Sequence, residues 1–499
     1  MSYVVGVDLG TSAVKVLLMN RKGNVVAEYS ESYPLIQVKS GYSEQDPEQW
    51  VEKTTNVLSQ LVKENPEEAA KIEGISFSGQ MHGLVLLNES HEVIRPAILW
   101  NDTRTTKQCQ DIYNIVGKEQ VLSLTKNPAL EGFTLPKILW VKENEPENLA
   151  ETAVFLLPKD YLRFRLTGQL HSEYSDAAGT LLLDIQKKEW SSEIAKKLDI
   201  DLAICPPLVE SHECVGTITA DFAFDSGLPQ STKVFAGGAD NACGAIGSGI
   251  LAEGKTMCSI GTSGVVLSYE DNGEKEFGGK VHYFNHGQEN TFYTMGVTLT
   301  AGHSLSWFKD VFAKDEPFEQ LTANIDQVPP GANGLLFTPY LGGERTPHAD
   351  SSIRASFIGM DASHKRVDFV RAVLEGITFS LNESIELFRD AGKQIDTVLS
   401  IGGGAKNETW LQMQADIFNT KVERLETEQG PGVGAAMLAA YGCGWYDKLA
   451  DCADEWLEVK QTYEPNQERV EAYKQLFAIY QSVYTQTKTL NEQLVSFRK

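Results

Sequence analysis

The strongest constraint on the fold is a short turn that the chain contains twice. Residues 5–19 read VGVDLGTSAVKVLLM and residues 257–267 read MCSIGTSGVVL, so the same Gly-Thr-Ser interrupts two apolar runs. Each stretch predicts a strand, a tight turn and a second strand. The repetition predicts a duplicated domain core. The two copies differ just before the turn, where the first has Asp8 and the second has Ser259.

Size and charge narrow the class of protein. A chain of 499 residues exceeds the size at which a single core stops growing, so two domains are expected. The formal net charge of -24 argues against binding to nucleic acid, which requires basic patches. An anionic ligand must therefore be held by local backbone donors or by a metal ion.

Cysteine usage and hydropathy predict the compartment. The seven cysteines form no C-x-x-C pair, which argues against a disulfide framework and against a zinc site. No apolar run is long enough to cross a membrane, and the first twenty residues lack the pattern of a secretory signal. We expect a soluble, cytoplasmic protein without a membrane partner.

Local signals predict several elements around the two turns. Asp46 followed by Pro47 predicts the start of a helix, and residues 367–390 and a segment from Pro465 onward predict two longer helices. The run DTVLSIGGG predicts a strand that ends in glycines. A domain boundary is expected within residues 244–256.

The two Gly-Thr-Ser turns are candidate anion sites, because a strand that ends in glycine and hydroxyl residues can direct backbone N–H groups and hydroxyls at a phosphate. Either turn alone is interpreted as an ordinary hairpin turn, whereas the two together, each leading into another apolar strand and accompanied by the run GGGAKN, suit a clamp that holds a polyphosphate from both sides. The candidate residues are Gly10, Thr11, Ser12, Gly261, Thr262 and Ser263.

A third match, GILAEGKT at residues 249–256, has the spacing of a phosphate-binding P-loop. A P-loop works between a strand and a following helix. Here a helix-like run precedes the match and a strand follows it. We therefore interpret the match as a coincidence and Lys255 as a surface lysine.

The glycine run at Gly402, Gly403 and Gly404 ends a predicted strand, and Asn407 is a candidate N-cap for the next helix. Backbone without side chains offers a flat surface on which an adenine ring fits. Glycine-rich strand-to-helix turns are also common in α/β proteins of every function, so this run is weak evidence alone.

Two further stretches carry candidate polar groups. In VFAGGADNACGAIGSG, Asp240 can accept a proton from a hydroxyl as phosphate arrives, or it can cap a helix, and the two roles are compatible. In SGQMHG, His82 can donate a hydrogen bond to a sugar hydroxyl and Met81 can pack on its carbon face, although a lone histidine is more often structural. The nine histidines show no metal-binding cluster.

These motifs together resemble a known family. DLGTS, SGQMHG, WNDTR, GGADN, SIGTSG and GGGAKNETW occur in the order expected of the FGGY carbohydrate kinases. The stretches GFTLPKILWVKEN and ASFIGMDASHKRVDFVRAVLE resemble the two signature segments of that family. The resemblance spans essentially the whole chain.

The resemblance implies an α/β fold of two ribonuclease H-like domains, the actin-like ATPase architecture, with the active site in the cleft between them. The expected units are residues 1–246, with the sugar site and the first phosphate loop, residues 252–445, with the nucleotide site, and a helical extension over residues 446–499. A homodimer is expected only by analogy with the family.

The resemblance also implies roles for the candidate residues. Asp240 is expected to deprotonate the terminal hydroxyl of the sugar, which Met81, His82 and Asp240 contact. Asp8 is expected to act on Mg²⁺, with Asp240 as the second carboxylate on the metal side. The two Gly-Thr-Ser turns are expected to hold the phosphates of ATP, and the glycine run at 402–404 with Asn407 is expected to hold the adenosine.

QMHG followed by WND favours D-xylulose as the sugar and D-xylulose 5-phosphate as the product. One rival is a relative that acts on ribulose, gluconate, glycerol or a deoxyketose, because few pocket substitutions redirect specificity. A rival from another class is a non-catalytic actin-like nucleotide switch.

The roles of two loops are undecided from the sequence. Asn101, Asp102 and Arg104 can line the sugar pocket or only hold a loop, and the role of GERTPH, from Gly343, is equally undecided.

Overall fold

The computed structural model describes residues 2–427 and 430–498. The strands are β1 Tyr3–Leu9, β2 Ala13–Asn20, β3 Val25–Ser32, β4 Glu44–Gln45, β5 Ile72–Gly79, β6 Val85–Leu87, β7 Ala97–Ile98, β8 Val154–Leu156, β9 Ser172–Glu173, β10 Leu183–Asp184, β11 Glu189–Trp190, β12 Leu208–Val209, β13 Cys214–Thr217, β14 Lys233–Phe235, β15 Gly238–Ala239, β16 Gly254–Ile260, β17 Gly264–Glu270, β18 His282–Asn285, β19 Phe292–Thr298, β20 Leu336–Thr338, β21 Ser356–Ile358, β22 Ile395–Gly402, β23 Lys421–Leu425 and β24 Val459–Tyr463.

The α-helices are α1 Pro47–Glu64, α2 Pro66–Ala69, α3 Thr106–Ile115, α4 Lys118–Thr125, α5 Thr134–Asn144, α6 Pro146–Ala150, α7 Pro158–Thr167, α8 Tyr174–Ala177, α9 Ser192–Leu198, α10 Ala220–Ser226, α11 Asp240–Gly247, α12 Gly302–Phe312, α13 Phe318–Leu321, α14 Arg366–Asp390, α15 Glu408–Phe418, α16 Pro431–Gly442, α17 Leu449–Trp456 and α18 Gln467–Leu494. Short 3₁₀ turns span Ala178–Thr180, Leu202–Ile204, Ile325–Gln327, Ala332–Gly334, Gly403–Lys406 and Val495–Phe497.

Two mixed sheets repeat one strand order. The first runs β13-β14-β5-β1-β2-β3, with β15 also on β5, and the second runs β18-β19-β17-β16-β22-β23-β24. In the first sheet β1, β2 and β3 are antiparallel neighbours and β5 is parallel to β1. In the second sheet β16, β17 and β19 are antiparallel neighbours and β22 is parallel to β16. The duplication that the two turns predict is confirmed.

Both faces of the first sheet are buried at its central strands β1 and β5, and the period of two along each strand divides the side chains between the two faces. Val5 and Val7 of β1 pack with α1 on one face. Val4 and Leu17 pack with α16 on the other face. An apolar run without polar alternation, as in VVGVDL, is typical of a strand covered on both sides.

The helix α16 connects the two halves by backbone-to-backbone packing. A Cβ atom added at Gly434 would lie 1.9 Å from the carbonyl oxygen of Cys243 on α11, and one added at Gly6 on β1 would lie 2.1 Å from the carbonyl oxygen of Gly432. Only glycine permits such close approaches. This packing fixes α11 and its first residue, Asp240, against the first sheet.

Most local predictions are confirmed. Asp46 caps α1 and accepts a hydrogen bond from the Glu48 N–H at 3.0 Å. The helices α14 and α18 begin close to the predicted residues. The P-loop match is a coincidence, as expected, because Gly254 opens a strand and Lys255 is exposed.

The predicted domain boundaries stay predictions, and residues 1, 428, 429 and 499 of those units lie outside the described residues. Two contacts cross the predicted limits. The helix α16, within the second predicted unit, packs on β1 and β5 of the first half. The strand β24, within the predicted helical extension, adds an antiparallel edge to the second sheet. Among the helices of the described ranges, none has the length and apolar character to span a bilayer.

Candidate active site

The first candidate carboxylate, Asp8, lies near the carboxyl end of β1. It is paired with Lys15 on β2 and with Ser78 on β5. Burial raises the pKa of the Asp8 carboxyl, while the Ser78 hydroxyl and the Lys15 charge oppose that rise. An acid at this position is therefore desolvated but not isolated from cationic and hydrogen-bonding partners.

The strand register brings Asp240 to the same edge of the sheet. The short strand Gly238–Ala239 pairs with Ser78 and Gly79 of β5, and Ser78 is also the partner of Asp8. Asp240 follows directly as the first residue of α11. The two acids, more than 200 residues apart in the sequence, thus lie at neighbouring strand ends.

The electrostatics of Asp240 favour a proton acceptor. Burial and then the negative charge of Asp8 raise the pKa of Asp240 to about 7, against the stabilising N–H of Asn241. The carboxylate accepts hydrogen bonds from the Asn241 backbone at 2.7 Å and from its side-chain amide at 3.0 Å. The N-cap interpretation of Asp240 is wrong, because Ala239 occupies the cap position. A carboxyl that titrates near neutrality is suited to general base catalysis.

His82 lies in a left-handed turn, with φ 69°, between β5 and β6. Its Nδ1 lies 2.5 Å from the carbonyl oxygen of Gly179 and must donate to it. Burial lowers the pKa of His82 to about 3, so the ring is neutral at pH 7 and Nε2 carries a lone pair. The ring atom left for a ligand, Nε2, is therefore an acceptor in this structure, and the expected contact of His82 with a sugar stays a prediction.

The backbone of His82 is held from a neighbouring helix. Its carbonyl oxygen accepts hydrogen bonds from Thr134 Oγ1 at 3.0 Å and from Lys137 Nζ at 2.9 Å. Met81 is buried beside it, and its Sδ lies 3.5 Å from the Asn241 side-chain amide. Asn241 thus joins the SGQMHG turn to the Asp240 carboxylate.

Sequence reasoning missed the aromatic wall of this region. The His82 ring lies 4.6 Å from the Phe133 ring and 6.2 Å from the ring of Phe284, which comes from the second half. His282 stacks on Phe284 at 5.6 Å, and the positive charge of Arg345 contributes to the lowered pKa of both histidines. The first half and the second half therefore meet across a cleft at His82. The segment GFTLPK contains Phe133 and offers a local signal for that ring alone.

The WNDTR loop is held mainly by its own charges. Asp102 is buried and accepts from the Ser43 N–H at 2.6 Å and from Arg104 Nη2 at 2.7 Å. The Arg104 guanidinium also pairs with Glu44 at 2.8 Å and stacks over Tyr42 at 3.7 Å. Asp102 and Arg104 thus hold the loop.

The other residues of this stretch remain accessible, Thr103 among them. Asn101 and Trp100 are exposed, and Trp100 Nε1 donates to Thr11 Oγ1 at 2.9 Å. The stretch therefore touches the first Gly-Thr-Ser loop through Trp100.

The first Gly-Thr-Ser loop is held by one hydrogen bond within the turn and by others from residues farther along the chain. The Gly10 N–H donates to the Ala13 carbonyl at 3.0 Å, and the Tyr33 hydroxyl donates to the Gly10 carbonyl. Gln45 Nε2 donates to the Thr11 carbonyl at 2.6 Å. Ser12 is exposed at the tip. Gln45, which sequence reasoning missed, also accepts from the Gln80 amide at 3.1 Å and so links this loop to the SGQMHG turn.

The second Gly-Thr-Ser loop leans on helix α12. The Gly261 carbonyl accepts from the Gly302 N–H at 2.8 Å, and the Thr262 carbonyl accepts from the His303 N–H at 3.1 Å. A Cβ atom on Gly302 would lie 2.5 Å from the Gly261 carbonyl oxygen, so the approach requires glycine. Ser263 accepts the Gly261 N–H through its carbonyl at 3.0 Å.

A cavity of about 660 Å³ opens beside this loop. Of the predicted residues, it is lined by Gly261, Thr262, Gly403, Gly404 and Asn407. Gly402, Ser263 and the whole first loop lie outside its lining. Asn407 caps α15 as expected, accepting from the Trp410 N–H at 3.0 Å. The volume is in the range of drug-sized and cofactor-sized ligands.

Some residues of the GERTPH loop hold the local structure, and another acts across the cleft. Glu344 is buried and accepts from the Leu299 and Arg345 N–H groups at 2.8 Å each, and burial raises its pKa to about 7. His348 stacks on Tyr484 at 3.8 Å. Arg345 is exposed, and its charge acts on His82 across the cleft.

The described residues contain no cluster of three or more acidic, histidine or cysteine side chains suited to a metal ion. The cleft offers the acidic pair of Asp8 and Asp240, whose charges act on each other. Mg²⁺ prefers oxygen ligands and retains waters, so one or two carboxylates plus phosphate oxygens suffice for it. The donor set therefore fits a Mg²⁺ ion that completes its coordination with water or with ligand oxygens.

Two halves with one strand order, glycine turns at matching strand ends and a cleft between them define the actin-like ATPase class. The model of the FGGY family of carbohydrate kinases, N-terminal domain, matches residues 3–247, and that of the C-terminal domain matches residues 256–443. The chain belongs to the FGGY family of carbohydrate kinases.

Three relatives show how far the likeness extends. A xylulose kinase of Bacillus subtilis is 62% identical over 499 residues, which is the full length of both chains. A ligand-bound xylulose kinase from Lactobacillus acidophilus matches 99% of this chain and 100% of its own with a TM-score of 0.93 at 27% identity. A gluconate kinase from the same organism matches 97% and 98% with a TM-score of 0.92, also at 27% identity. The fold is therefore shared by kinases of different sugars.

Proposed function

We propose that this FGGY carbohydrate kinase transfers the terminal phosphoryl group of ATP to the 5-hydroxyl of D-xylulose, giving D-xylulose 5-phosphate and ADP. The observation that carries the proposal is Asp240, a carboxyl with a pKa of about 7 next to the turn of Met81 and His82. The choice of D-xylulose is supported by the full-length relative at 62% identity.

The reaction needs a proton acceptor and accurate positioning more than covalent help from the protein. The Asp240 carboxylate accepts the proton of the 5-hydroxyl as that oxygen forms its bond to the terminal phosphorus. The bond between phosphorus and the bridging oxygen breaks, and ADP leaves with the electron pair. Asn241 holds the carboxylate through two hydrogen bonds, so the acceptor oxygen is fixed before the sugar arrives.

The sugar is bound by a mixed polar and apolar surface. The Nε2 lone pair of His82 accepts a hydrogen bond from a sugar hydroxyl, and Met81 packs on carbon. The Phe133 ring at 4.6 Å keeps the imidazole in place. The exposed guanidinium of Arg345 donates hydrogen bonds to hydroxyls or to phosphate from the opposite side.

The nucleotide lies with its adenosine in the 660 Å³ cavity and its phosphates toward the two Gly-Thr-Ser loops. Asp8 and Asp240 are the residues that would hold Mg²⁺. When bound, the metal neutralises charge on the phosphate oxygens, which a protein with net charge -24 cannot do through its overall field. A homodimer and a cytoplasmic location remain predictions from the sequence.

A coupled assay of ADP release over a panel of sugars tests the proposal. We expect kcat/KM for D-xylulose to exceed the values for D-ribulose, gluconate, glycerol and a deoxyketose by roughly 100-fold, because unmatched hydroxyls leave buried polar groups unpaired. A higher value for another sugar would overturn the choice of D-xylulose. ATP turnover without sugar, or ATP-driven polymerisation, would favour the nucleotide switch.

His82→Ala tests the sugar side of the site. We expect KM for the sugar to rise roughly tenfold, because one hydrogen bond to the substrate is lost, while KM for MgATP changes little. The matched control is His91→Ala, since His91 also has a positive φ, of 59°, but is exposed outside the cleft. A rise in KM for MgATP alone would show that His82 is misassigned.

A further inference from the structure

A group of buried charges lies under the active site without touching the cleft. Lys159 Nζ lies 2.7 Å from Asp160, 3.2 Å from Glu173 and 3.1 Å from Asp176, and Arg163 lies 2.9 Å from Asp160. All five side chains are fully buried. Burial raises the pKa of the Asp176 carboxyl well above its usual value, while the positive charge of Lys159 opposes that rise. The ion pairs of Lys159 join α7 to residues 173–176, and Arg163 Nε is buried without a hydrogen-bond partner.

The segment 236–239, directly before Asp240, is held by this charge cluster, which consists of residues 159, 160, 163, 173 and 176. Arg163 Nη1 donates to the Ala236 carbonyl at 2.7 Å. At the other end of the segment, the Ala239 N–H donates to Ser175 Oγ at 3.0 Å. The segment that carries Asp240 is therefore held at both ends by the cluster or by a residue bonded to it.

Ser175 is itself locked by one carboxylate. Its Oγ donates to Glu173 Oε1 at 2.9 Å and its N–H donates to Glu173 Oε2 at 2.8 Å. The hydroxyl proton is thus committed to Glu173, which leaves the oxygen lone pairs for the Ala239 N–H. A Cβ atom on Gly238 would lie 3.4 Å from Ser175 Oγ and 3.0 Å from Cys243 Sγ, so the segment fits tightly between the two side chains.

We propose that Ser175, locked by Glu173, is a positioning residue that sets the place of the Asp240 carboxylate through the Ala239 N–H. The inference rests on the proposed function, in which Asp240 accepts the proton of the sugar. Ser175 touches neither substrate in this scheme and acts only through the peptide before Asp240. Without the hydroxyl, the buried Ala239 N–H loses its partner and the peptide is free to shift.

The matched pair Ser175→Ala and Ser211→Ala tests this role. Ser211 is also buried and its Oγ donates to the same carboxylate, at 2.8 Å to Glu173 Oε2, but its side chain does not bond the segment 236–239. Each variant therefore removes one buried hydroxyl and one hydrogen bond to Glu173. Only Ser175→Ala also leaves the Ala239 N–H unpaired.

We expect Ser175→Ala to lower kcat roughly 10- to 100-fold, as for a reacting group displaced by a fraction of an ångström to an ångström, with KM for sugar and MgATP nearly unchanged. Ser211→Ala should keep kcat within about threefold of wild type. Both variants are assayed at matched folded fraction, determined from their thermal unfolding curves.

Three outcomes would overturn the role of Ser175: an unchanged kcat in Ser175→Ala, an equal loss in Ser211→Ala, or a loss confined to KM. Failure of the proposed function is separate, because it appears in the wild-type enzyme as absence of D-xylulose-dependent ADP release. If the wild type uses another sugar, the same pair is measured with that sugar, and the same outcomes apply.

Discussion

Asp240→Asn is expected to lower kcat roughly 100- to 10,000-fold, the range that removal of a general base produces. The amide keeps the shape of the side chain but cannot accept the hydroxyl proton. Nucleotide binding should be retained, because the cavity beside Gly261 and Gly403 is lined by the second half and not by Asp240. Coupled turnover assays and calorimetric titration with ATP measure the two effects separately.

Asp221→Asn is the matched control for this substitution. Asp221 also lies in the first turn of a short helix of the first half, but it is exposed. Its replacement removes the same charge from a helix start without touching the cleft, so turnover should be near wild type. Near-normal turnover of Asp240→Asn, or an equal loss in both variants, would contradict the assignment of Asp240 as the base.

The pH profile of the wild-type enzyme tests the same assignment. The pKa of Asp240 is raised from the usual carboxyl range to about 7 by burial and by Asp8. A base acts only when deprotonated, so kcat/KM should fall as pH is lowered through about 7, close to tenfold per pH unit below it. An acid limb near pH 4 would show that the carboxyl is not perturbed in the free enzyme.

Local chemistry explains which parts of the fold could be predicted from the sequence. The Gly-Thr-Ser turns follow apolar runs with no polar alternation, and both signals are contained within a dozen residues. Asp46 and Asn407 caps are equally local, because the side chain bonds an N–H two or three residues ahead. Such features depend only on residues that are close in sequence, so the sequence pattern alone predicts them.

The rest depends on contacts between residues far apart in sequence. The tautomer of His82, which leaves Nε2 as an acceptor, is fixed by the Gly179 carbonyl, 97 residues away. The approach of Phe284 and Arg345 to His82 follows from the packing of the two halves. Ser175 lies 64 residues before Ala239, and nothing in its own surroundings marks it. The interpretation of Asp240 as an N-cap is wrong because the helix starts one residue earlier than the pattern suggests, with Ala239 at the cap position.

Asp8 and Ser259 occupy matching positions in the two sheets, but their neighbours on the adjacent strands differ. Each residue lies two positions before its glycine turn, on the strand that pairs with a hairpin partner on one side and a parallel strand on the other. Asp8 faces Lys15 and Ser78 in its pairs, whereas Ser259 faces Val265 and Ile401. The same place in the duplicated core is therefore polar and charged in the first half and apolar in the second.

Asp8→Ser is expected to lower turnover roughly 100-fold or more and to raise the Mg²⁺ concentration needed for half-maximal rate, because the cleft loses a carboxylate that would hold the metal. Ser259→Ala should change turnover by less than about threefold, since a half-buried hydroxyl opposite apolar partners is removed. Mg²⁺ titrations of both variants at saturating ATP and sugar provide the measurement. If the two substitutions lower turnover equally, or if Asp8→Ser leaves the Mg²⁺ requirement unchanged, the proposal that Asp8 serves the metal and Ser259 does not is contradicted.

A selective effect of Asp8→Ser would instead mean that the first of the duplicated strand ends carries an acid, and the second does not, because only one side of the transferred phosphoryl group needs a metal.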